Sequence, residues 1–180
     1  TKLKENLNYS KKNIRDIWEY KKDKNGHFVK DANGNRVKKR QTMTYNGVTI
    51  NLWDDTSLSN VIGDEKFANW RYGAKNKKGN QVNYRGRGYI HITWKENYQS
   101  YTNYYQAKHN DTTKDFVETP ELLEQFPYAL EASFNFWKQN NLHTLSDTKT
   151  VRDITLIVNG GLEGLSNRKN NFKKIYDLVK

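Results

Sequence analysis

The stretch NYRGRGYIHITWKENY, residues 83–98, decides how the rest of the chain is interpreted. Two Arg-Gly pairs run into alternating β-branched residues and then into an aromatic, amide and carboxylate cluster. Arg-Gly segments that bind RNA are usually repeated in low-complexity sequence, but here a single copy leads into YIHIT, whose alternation predicts a strand. Gly86 and Gly88 therefore favour a tight corner, which would fix Arg85 and Arg87 in place.

The predicted strand has two different faces. It places His91 and Thr93 on one face and Ile90 and Ile92 on the other. Asn97 follows Thr93 by about one helical turn, so a hydroxyl and an amide could meet at one polar point and position a water molecule or a sugar hydroxyl. The alternative is structural, with Thr93 capping the next helix and Asn97 bracing a loop. Spacing alone favours that alternative.

Composition limits the classes of protein and of site. The 180 residues suit a single domain, 1–180, and although only 34% are hydrophobic, 13% are aromatic, which indicates a folded chain with a polar surface. A net charge of +11 favours a polyanionic partner: nucleic acid, an anionic membrane or the bacterial wall. The chain has no cysteine and four scattered histidines, so neither a metal site nor a cofactor is predicted. No apolar run is long enough for a membrane span, and no signal peptide is found.

The remaining pattern predicts a mainly helical chain with a β insertion. Ser10 is a candidate N-cap for a helix through Tyr20. Residues 21–52 hold three Asn-Gly pairs between short apolar runs, which predicts a small antiparallel β-meander, with a mobile basic loop as the alternative over 21–45. Further helices are predicted at 64–73, from 119, over 128–139 and 150–158, and from 166.

Four segments resemble glycoside hydrolase family 19, in particular its phage and bacterial endolysin branch. YRGRGYIHITWKENY is similar to the family's YRGRG run followed by IQLT and an Asn-Tyr pair. ENLNYS at 5–10, FANWRYG at 67–73 and VNGGLEGL at 158–165 resemble family segments in the same order. The resemblance covers most of residues 1–20 and 57–180, so the meander is expected to be an insertion.

The resemblance implies a fold and a reaction. The fold is mainly α (α+β), lysozyme-like, with two lobes around a sugar-binding cleft. The reaction is hydrolysis of β-1,4 bonds between N-acetylated amino sugars, in peptidoglycan or a chitin-like glycan, with inversion. Inversion requires a carboxylic acid that protonates the leaving oxygen and a carboxylate, roughly 6.5–9.5 Å away, that activates water.

Family roles are carried over to matching positions. The resemblance implies that Glu5 is the catalytic base, while Thr93 and Asn97 hold the attacking water. It also implies that substrate is bound by residues of the quoted motif and by one asparagine near the C-terminus: Tyr84, Arg85, Arg87, His91, Tyr98 and Asn159.

Two departures from the family pattern affect these expectations. The family's general acid lies in an H-E-S/T-x-G segment just before ENLNYS, and no such segment occurs in this sequence. The acid is therefore expected on an upstream segment, either missing from the chain or in a separate polypeptide, unless the domain is catalytically inactive. The other departure is His91, which stands where most members have Gln and could titrate near neutral pH.

Composition and the resemblance together predict the partner and the location. The absence of cysteine suits a phage or bacterial source, and the positive charge suits an anionic wall, so peptidoglycan is favoured over chitin. The expected location is a phage virion, such as a tail lysin assembly, or the host cytoplasm, with a secreted bacterial protein as the alternative. Two other functions stay open: a wall-binding module that does not cut, and a nucleic-acid binder that uses Arg85 and Arg87.

Overall fold

The computed structural model describes residues 3–18, 23–25, 27–37 and 42–179, and the side chains of 15–18 are not among the described parts. Helices dominate, which confirms the mainly helical α+β class. The α-helices are α1 (Lys11–Trp18), α2 (Asp55–Ser59), α3 (Asp64–Tyr72), α4 (Lys95–His109), α5 (Tyr128–Gln139), α6 (Leu142–Ser146), α7 (Val151–Asn159) and α8 (Leu165–Leu178). The strands are β1 (Thr42–Tyr45), β2 (Val48–Asn51), β3 (Gly73–Lys75) and β4 (Gln81–Asn83), and Pro120–Glu124 forms a 3-10 turn. Within the described ranges, no helix combines the length and apolar character needed to cross a membrane.

The chain divides into two compact units, Thr1–Ala132 and Ser133–Lys180. The first unit contains the main hydrophobic cluster, in which Leu7, Ile50, Leu58 and Phe67 are almost completely buried. The second unit contains α6 to α8, and the side chain of Thr150 caps α7 in a reciprocal pair of hydrogen bonds with Asp153. The prediction of a single domain over 1–180 stays a prediction.

The predicted β insertion contains one regular hairpin within its described residues. β1 pairs antiparallel with β2, from Thr42 opposite Asn51 to Tyr45 opposite Val48. Asn46 and Gly47 connect them with φ angles of 51° and 73°, the positive values of a two-residue turn that matches strand twist. Part of the predicted meander is therefore confirmed. Among described residues 23–25 and 27–37, no regular strand forms, and a bridge joins Lys30 and Arg36. The predicted end of α1 at Tyr20 lies outside the described residues.

A second, shorter hairpin leads into the quoted motif. β3 pairs antiparallel with β4, so that Gly73 lies opposite Asn83. The connecting turn is closed by the Asn76 side chain, whose Oδ1 accepts hydrogen bonds from the amides of Lys78 at 3.1 Å and Asn80 at 2.8 Å. Because β4 ends at Asn83, this hairpin delivers the chain directly to Tyr84 at the start of the corner.

Candidate functional site

The candidate site is built on three short backbone segments that lie side by side. Residues 86–88 form the middle segment. On one edge, the Glu5 amide donates to the Gly86 carbonyl at 2.8 Å, and the Gly88 amide donates to the Leu3 carbonyl at 2.8 Å. On the other edge, Arg87 and Ile92 exchange two backbone hydrogen bonds. This pairing brings the N-terminal segment that carries Glu5 against the Arg-Gly motif.

The strand predicted over residues 89–93 is not formed. Residues 88–91 make a tight turn, closed by a hydrogen bond from the His91 amide to the Gly88 carbonyl at 3.3 Å. Gly88 and His91 have φ angles of 76° and 56°, so the chain reverses and Ile92 returns to Arg87. The alternation of β-branched residues failed as a predictor because these two left-handed residues break the extended conformation.

Arg85 lies entirely inside the protein and anchors the segment that carries Glu5. Its guanidinium pairs with Asp64 at 2.5 Å and with Glu65 at 2.8 Å, and it also donates to the backbone carbonyl of Glu5 at 3.5 Å. Asp64 in turn accepts a hydrogen bond from the Leu7 amide at 2.8 Å. Burial acts to raise the pKa of Asp64, but the hydrogen bonds from Leu7 and Arg85 outweigh it and hold the pKa below its usual value.

Arg87 is also buried, with 2% of its surface exposed. Its Nε donates to Glu124 at 2.7 Å, and its Nη1 donates to the Tyr98 hydroxyl at 3.0 Å and to the Asn83 carbonyl at 3.0 Å. Arg85 and Arg87 thus both donate their hydrogen bonds to partners inside the protein. The expectation of a fixed corner is confirmed. Direct contact of Arg85 and Arg87 with substrate or nucleic acid stays a prediction, which the burial of both side chains does not favour.

Tyr84 and Tyr98 form the aromatic support beneath the corner. Both are fully buried, and their rings meet edge to face at 5.2 Å. The Tyr98 hydroxyl donates to the Arg85 carbonyl at 2.6 Å, and the Tyr84 hydroxyl donates to the Val117 carbonyl at 3.1 Å. Burial raises the pKa of Tyr84 to about 12, so its hydroxyl stays protonated. Both residues pack beneath the corner, and their predicted sugar contacts stay a prediction.

Glu5 sits at the surface of this framework. Its side chain is half-buried, and Oε2 accepts a hydrogen bond from the Gly86 amide at 3.1 Å. No described residue forms an ion pair with it or donates a hydrogen bond to Oε1. A Cβ atom at Gly86 would lie 3.1 Å from Glu5 Oε2 and 2.9 Å from the Cβ of His91, so Glu5 and His91 approach the same point.

A depression of about 430 Å³ opens beside Glu5. Leu3, Lys4, Glu5, Asn6, Asn8, Asp64 and Glu124 line it. Two of its three carboxylates are held by arginines, because Asp64 pairs with Arg85 and Glu124 pairs with Arg87. Glu5 is the third, and it has a backbone amide as its donor in place of a cation. It is therefore the carboxylate of this depression best able to accept a proton from a bound molecule.

Thr93 and Asn97 are linked to each other at the start of α4. The Thr93 hydroxyl donates to the His91 carbonyl at 2.8 Å, and the Asn97 side-chain amide donates to the Thr93 carbonyl at 2.7 Å. Asn97 therefore braces the turn, as the structural alternative expected, while the side chain of Thr93 does not cap the helix. The hydroxyl of Thr93 can still accept a hydrogen bond from a water molecule. His91 is exposed at the same turn.

Asn159 belongs to the second unit, at the end of α7. Its side-chain amide donates to the Glu163 carbonyl at 3.2 Å, and Gly160 follows it with a φ angle of 65°. The residue is exposed. Its role as a substrate ligand stays a prediction.

The sequence-based interpretation missed a cluster of Arg71 with three aromatic rings. The guanidinium carbon of Arg71 lies 4.0 Å from the ring centre of Tyr45, 4.3 Å from that of Trp94 and 5.3 Å from that of Tyr72. Glu5 acts electrostatically on this cluster. Burial lowers the pKa of Arg71, and the charge of Glu5 partly opposes that change. Sequence analysis predicted a helix over 64–73, and that pattern does not indicate which distant aromatic residues surround Arg71.

Comparison with known proteins links part of the chain to a described glycosidase relative. No family model matches the chain. A protein of Haemophilus influenzae, described as a "Glycosyl hydrolase family 19 domain-containing protein", is 26% identical over 108 residues, which covers 60% of this chain and 48% of that relative. The chain thus spans about half the length of this curated relative. The similarity supports a relation to family 19 at the family level.

Metal chemistry has no evident centre in the described part of the chain. Within residues 3–18, 23–25, 27–37 and 42–179, no group of three or more His, Asp or Glu side chains is placed to hold a metal ion.

Proposed function

We propose that the protein is a glycoside hydrolase that cleaves β-1,4 bonds between N-acetylated amino sugars of peptidoglycan by inversion, with Glu5 as the general base. One observation carries the proposal. Glu5 is the carboxylate beside the depression that has no cationic partner, and the Gly86 amide fixes its orientation. The similarity to a family 19 domain-containing protein supports the same reaction class.

The geometry suggests how Glu5 acts on water. The Gly86 amide binds Oε2, which leaves Oε1 to accept a proton from a water molecule as that water attacks the anomeric carbon. A hydrogen bond from a neutral amide orients the carboxylate without removing its basicity to the extent that a buried arginine would. In this proposal, Thr93 accepts a second hydrogen bond from the water, and Asn97 holds the Thr93 turn in place.

The general acid is assigned to a segment upstream of Thr1. The other two carboxylates of the depression, Asp64 and Glu124, are poor candidates, because their arginine partners stabilise the ionised form. The resemblance to family 19 provides the expected source, a His-Glu pair shortly before the segment that carries Glu5. The proposal holds both for upstream residues in the same polypeptide and for upstream residues in a cleaved partner.

The proposed substrate is peptidoglycan in preference to chitin. A net charge of +11 attracts the protein to an anionic wall, whereas chitin is neutral and gains nothing from that charge. Release from phage virions or from the host cytoplasm fits a wall-degrading enzyme of this charge, and a secreted bacterial protein fits equally.

The decisive experiment replaces Glu5 in protein that contains the natural upstream sequence. We expect Glu5→Gln to lower the release of reducing ends from purified peptidoglycan by roughly 10²–10⁴-fold, since loss of a general base typically has that effect. The matched control is Asp177→Asn, an exposed charge of the second unit. Full activity of Glu5→Gln would eliminate the proposed base.

A non-catalytic wall-binding module is the second candidate. The pairing of Asp64 and Glu124 with arginines favours it, because it leaves the described depression with one carboxylate suited to proton transfer. Such a module should sediment with insoluble peptidoglycan and release no reducing ends, even with the upstream sequence restored. Glycan cleavage that depends on Glu5 would exclude it.

A further inference from the structure

Arg71 is held by aromatic faces in a way that leaves its hydrogen-bond donors unused. Tyr45 and Trp94 contact the guanidinium at 4.0 and 4.3 Å through their rings. A cation–π contact of this kind attracts a guanidinium to an aromatic face and supplies no acceptor for its N–H groups. The side chain is therefore positioned without spending the five donors that make arginine a carboxylate ligand.

These donors lack acceptors among the described residues. Nε of Arg71 is buried without a hydrogen-bond partner, and no described carboxylate forms an ion pair with the guanidinium. Arg85 and Arg87 behave differently, since each makes several hydrogen bonds and at least one ion pair. A buried N–H group without an acceptor destabilises the fold unless water or a ligand supplies one.

The cluster also has a surface that a sugar can reach. Trp94 is 38% exposed, and it immediately follows Thr93 with a φ angle of 74°, an unusual conformation for a large side chain. Tyr45 comes from the β1–β2 hairpin, so the insertion supplies one wall of the cluster. Glu5 lies near enough for its charge to act on Arg71, Tyr72 and Tyr9.

We propose that Arg71, flanked by Tyr45 and Trp94, binds a carboxylate carried by the amino-sugar substrate next to the site of cleavage. The inference rests on the proposed function, because Glu5 defines that site. Peptidoglycan carries such a carboxylate on the lactyl ether of each muramic acid that bears no peptide, whereas a chitin-like glycan has none. Arg71 thus selects an acidic amino-sugar glycan over a neutral one.

The chemistry of the cluster fits this ligand. A guanidinium binds a carboxylate through two parallel hydrogen bonds, and the interaction is stronger where water is partly excluded. Trp94, which is 38% exposed, offers apolar surface to a sugar or to the methyl group of a lactyl ether. A neutral N-acetylglucosamine could use the rings but would leave the guanidinium without an acceptor.

The test compares two sugars that differ only in the lactyl ether. N-acetylmuramic acid and N-acetylglucosamine are titrated separately into ¹⁵N-labelled protein, and the indole N–H signal of Trp94, assigned with Trp94→Phe, reports binding. We expect the acidic sugar to bind roughly tenfold more tightly, the effect of one charge-assisted pair. Equal dissociation constants for the two sugars in the unmodified protein would overturn the proposal.

Variants of Arg71 test whether this residue causes the preference for the acidic sugar. Arg71→Gln should reduce the preference for the acidic sugar to less than about twofold, while N-acetylglucosamine binding persists. Arg71→Lys should keep part of that preference, because the positive charge remains. Arg152→Gln is the matched control, since it removes an arginine charge from the second unit. A full preference in Arg71→Gln would also overturn the proposal. If that variant does not fold, the comparison in the unmodified protein and in Arg71→Lys still decides.

The proposal on sugar binding and the proposal on cleavage can be rejected independently of each other. Sugar titration needs no turnover, so the preference can be measured even if Glu5→Gln shows that Glu5 is not the base. Conversely, peptidoglycan cleavage that depends on Glu5, combined with equal binding of the two sugars, would reject the role of Arg71 and leave the proposed reaction intact.

Discussion

Gly86 contacts both Glu5, the proposed base, and His91 of the 88–91 turn. Its amide binds Glu5, and its missing side chain leaves room for both Glu5 and His91. A methyl group there would lie 2.9 Å from the Cβ of His91, closer than unstrained atoms approach. The glycine is therefore required by close contact and not by an unusual φ angle.

Replacement of Gly86 by alanine should damage activity more than stability. We expect Gly86→Ala to displace the Glu5 carboxylate and to lower the hydrolysis rate by roughly 100-fold, since small misplacements of catalytic groups have such effects. Overpacking should reduce the free energy of unfolding by about 1–3 kcal/mol. Urea unfolding and reducing-end release measure the two effects. Gly161→Ala is the control, because no atom lies within 4 Å of a Cβ at that position. Equal hydrolysis rates in the two variants would show that the close contact at Gly86 does not position Glu5.

Asp64 predicts a pH dependence of stability at the same corner. Its pKa is lower in the folded state than in the unfolded state, where the carboxyl group has its ordinary value near 3.8. The stabilisation from Asp64 is therefore present above that ordinary pKa and is lost as the pH falls through the folded-state value. Asp64→Asn should lower stability at pH 7 and flatten its decline below about pH 4. Thermal unfolding measured from pH 7 to pH 2 tests this. If the carboxylate had no such role, stability would fall with pH equally steeply in Asp64→Asn and in the unmodified protein.

At the scale of elements, side chains attach the β1–β2 hairpin to α3. The Asn46 amide donates to the carbonyls of Asn69 at 3.0 Å and Trp70 at 3.2 Å, and the Trp70 indole donates to the Val48 carbonyl at 3.0 Å. The two Asn46 bonds reach carbonyl groups in the last turn of α3, and the Asn69 carbonyl also accepts the Gly73 amide. They also hold Tyr45 beside Arg71.

Loss of the Asn46 side chain should therefore loosen the hairpin. We expect Asn46→Ala to lower the free energy of unfolding by about 1–3 kcal/mol, because two hydrogen bonds disappear and alanine tolerates a φ angle of 51° less well than asparagine. Asn60→Ala is the matched control, an exposed amide for which no described residue provides a side-chain hydrogen bond. Denaturant midpoints that coincide for the two variants would show that the hairpin is held in another way.

The elements that sequence predicted well are those with local determinants. Asn46-Gly47 predicted a turn because its residues tolerate positive φ, and Thr119-Pro120 predicted a helical start because proline suits the first turn. The strand at 89–93 was wrong because its conformation depends on pairing between Arg87 and Ile92. Likewise, the burial of Arg85 follows from Asp64 and Glu65, which are distant in sequence, so no local pattern could predict it.

The candidate site shows the same division between local and distant information. The resemblance selected Glu5, and the structure describes it beside Gly86 and His91. The resemblance could not select Arg71, because the surroundings of its guanidinium come from Tyr45 in the β1–β2 hairpin and Trp94 in a later turn. Chemistry that is assembled from three distant segments is visible only once the chain is folded.

At the scale of the whole molecule, the charge of +11 predicts how binding to the wall responds to salt. Long-range attraction between exposed charges weakens as the screening length falls from about 10 Å at 0.1 M salt to about 3 Å at 1 M. We therefore expect retention on insoluble peptidoglycan to fall by roughly tenfold or more over that range. The hydrolysis of soluble neutral chitooligosaccharides is the control, and it should change little, because the substrate carries no charge.

These two measurements separate attraction to the wall from chemistry at Glu5. If salt weakens retention but leaves cleavage of the neutral substrate unchanged, the positive charge serves to concentrate the protein on its substrate and takes no part in bond breaking. Retention that persists at 1 M salt would instead assign wall binding to short-range contacts, such as those of the aromatic rings around Arg71, which salt screens far less.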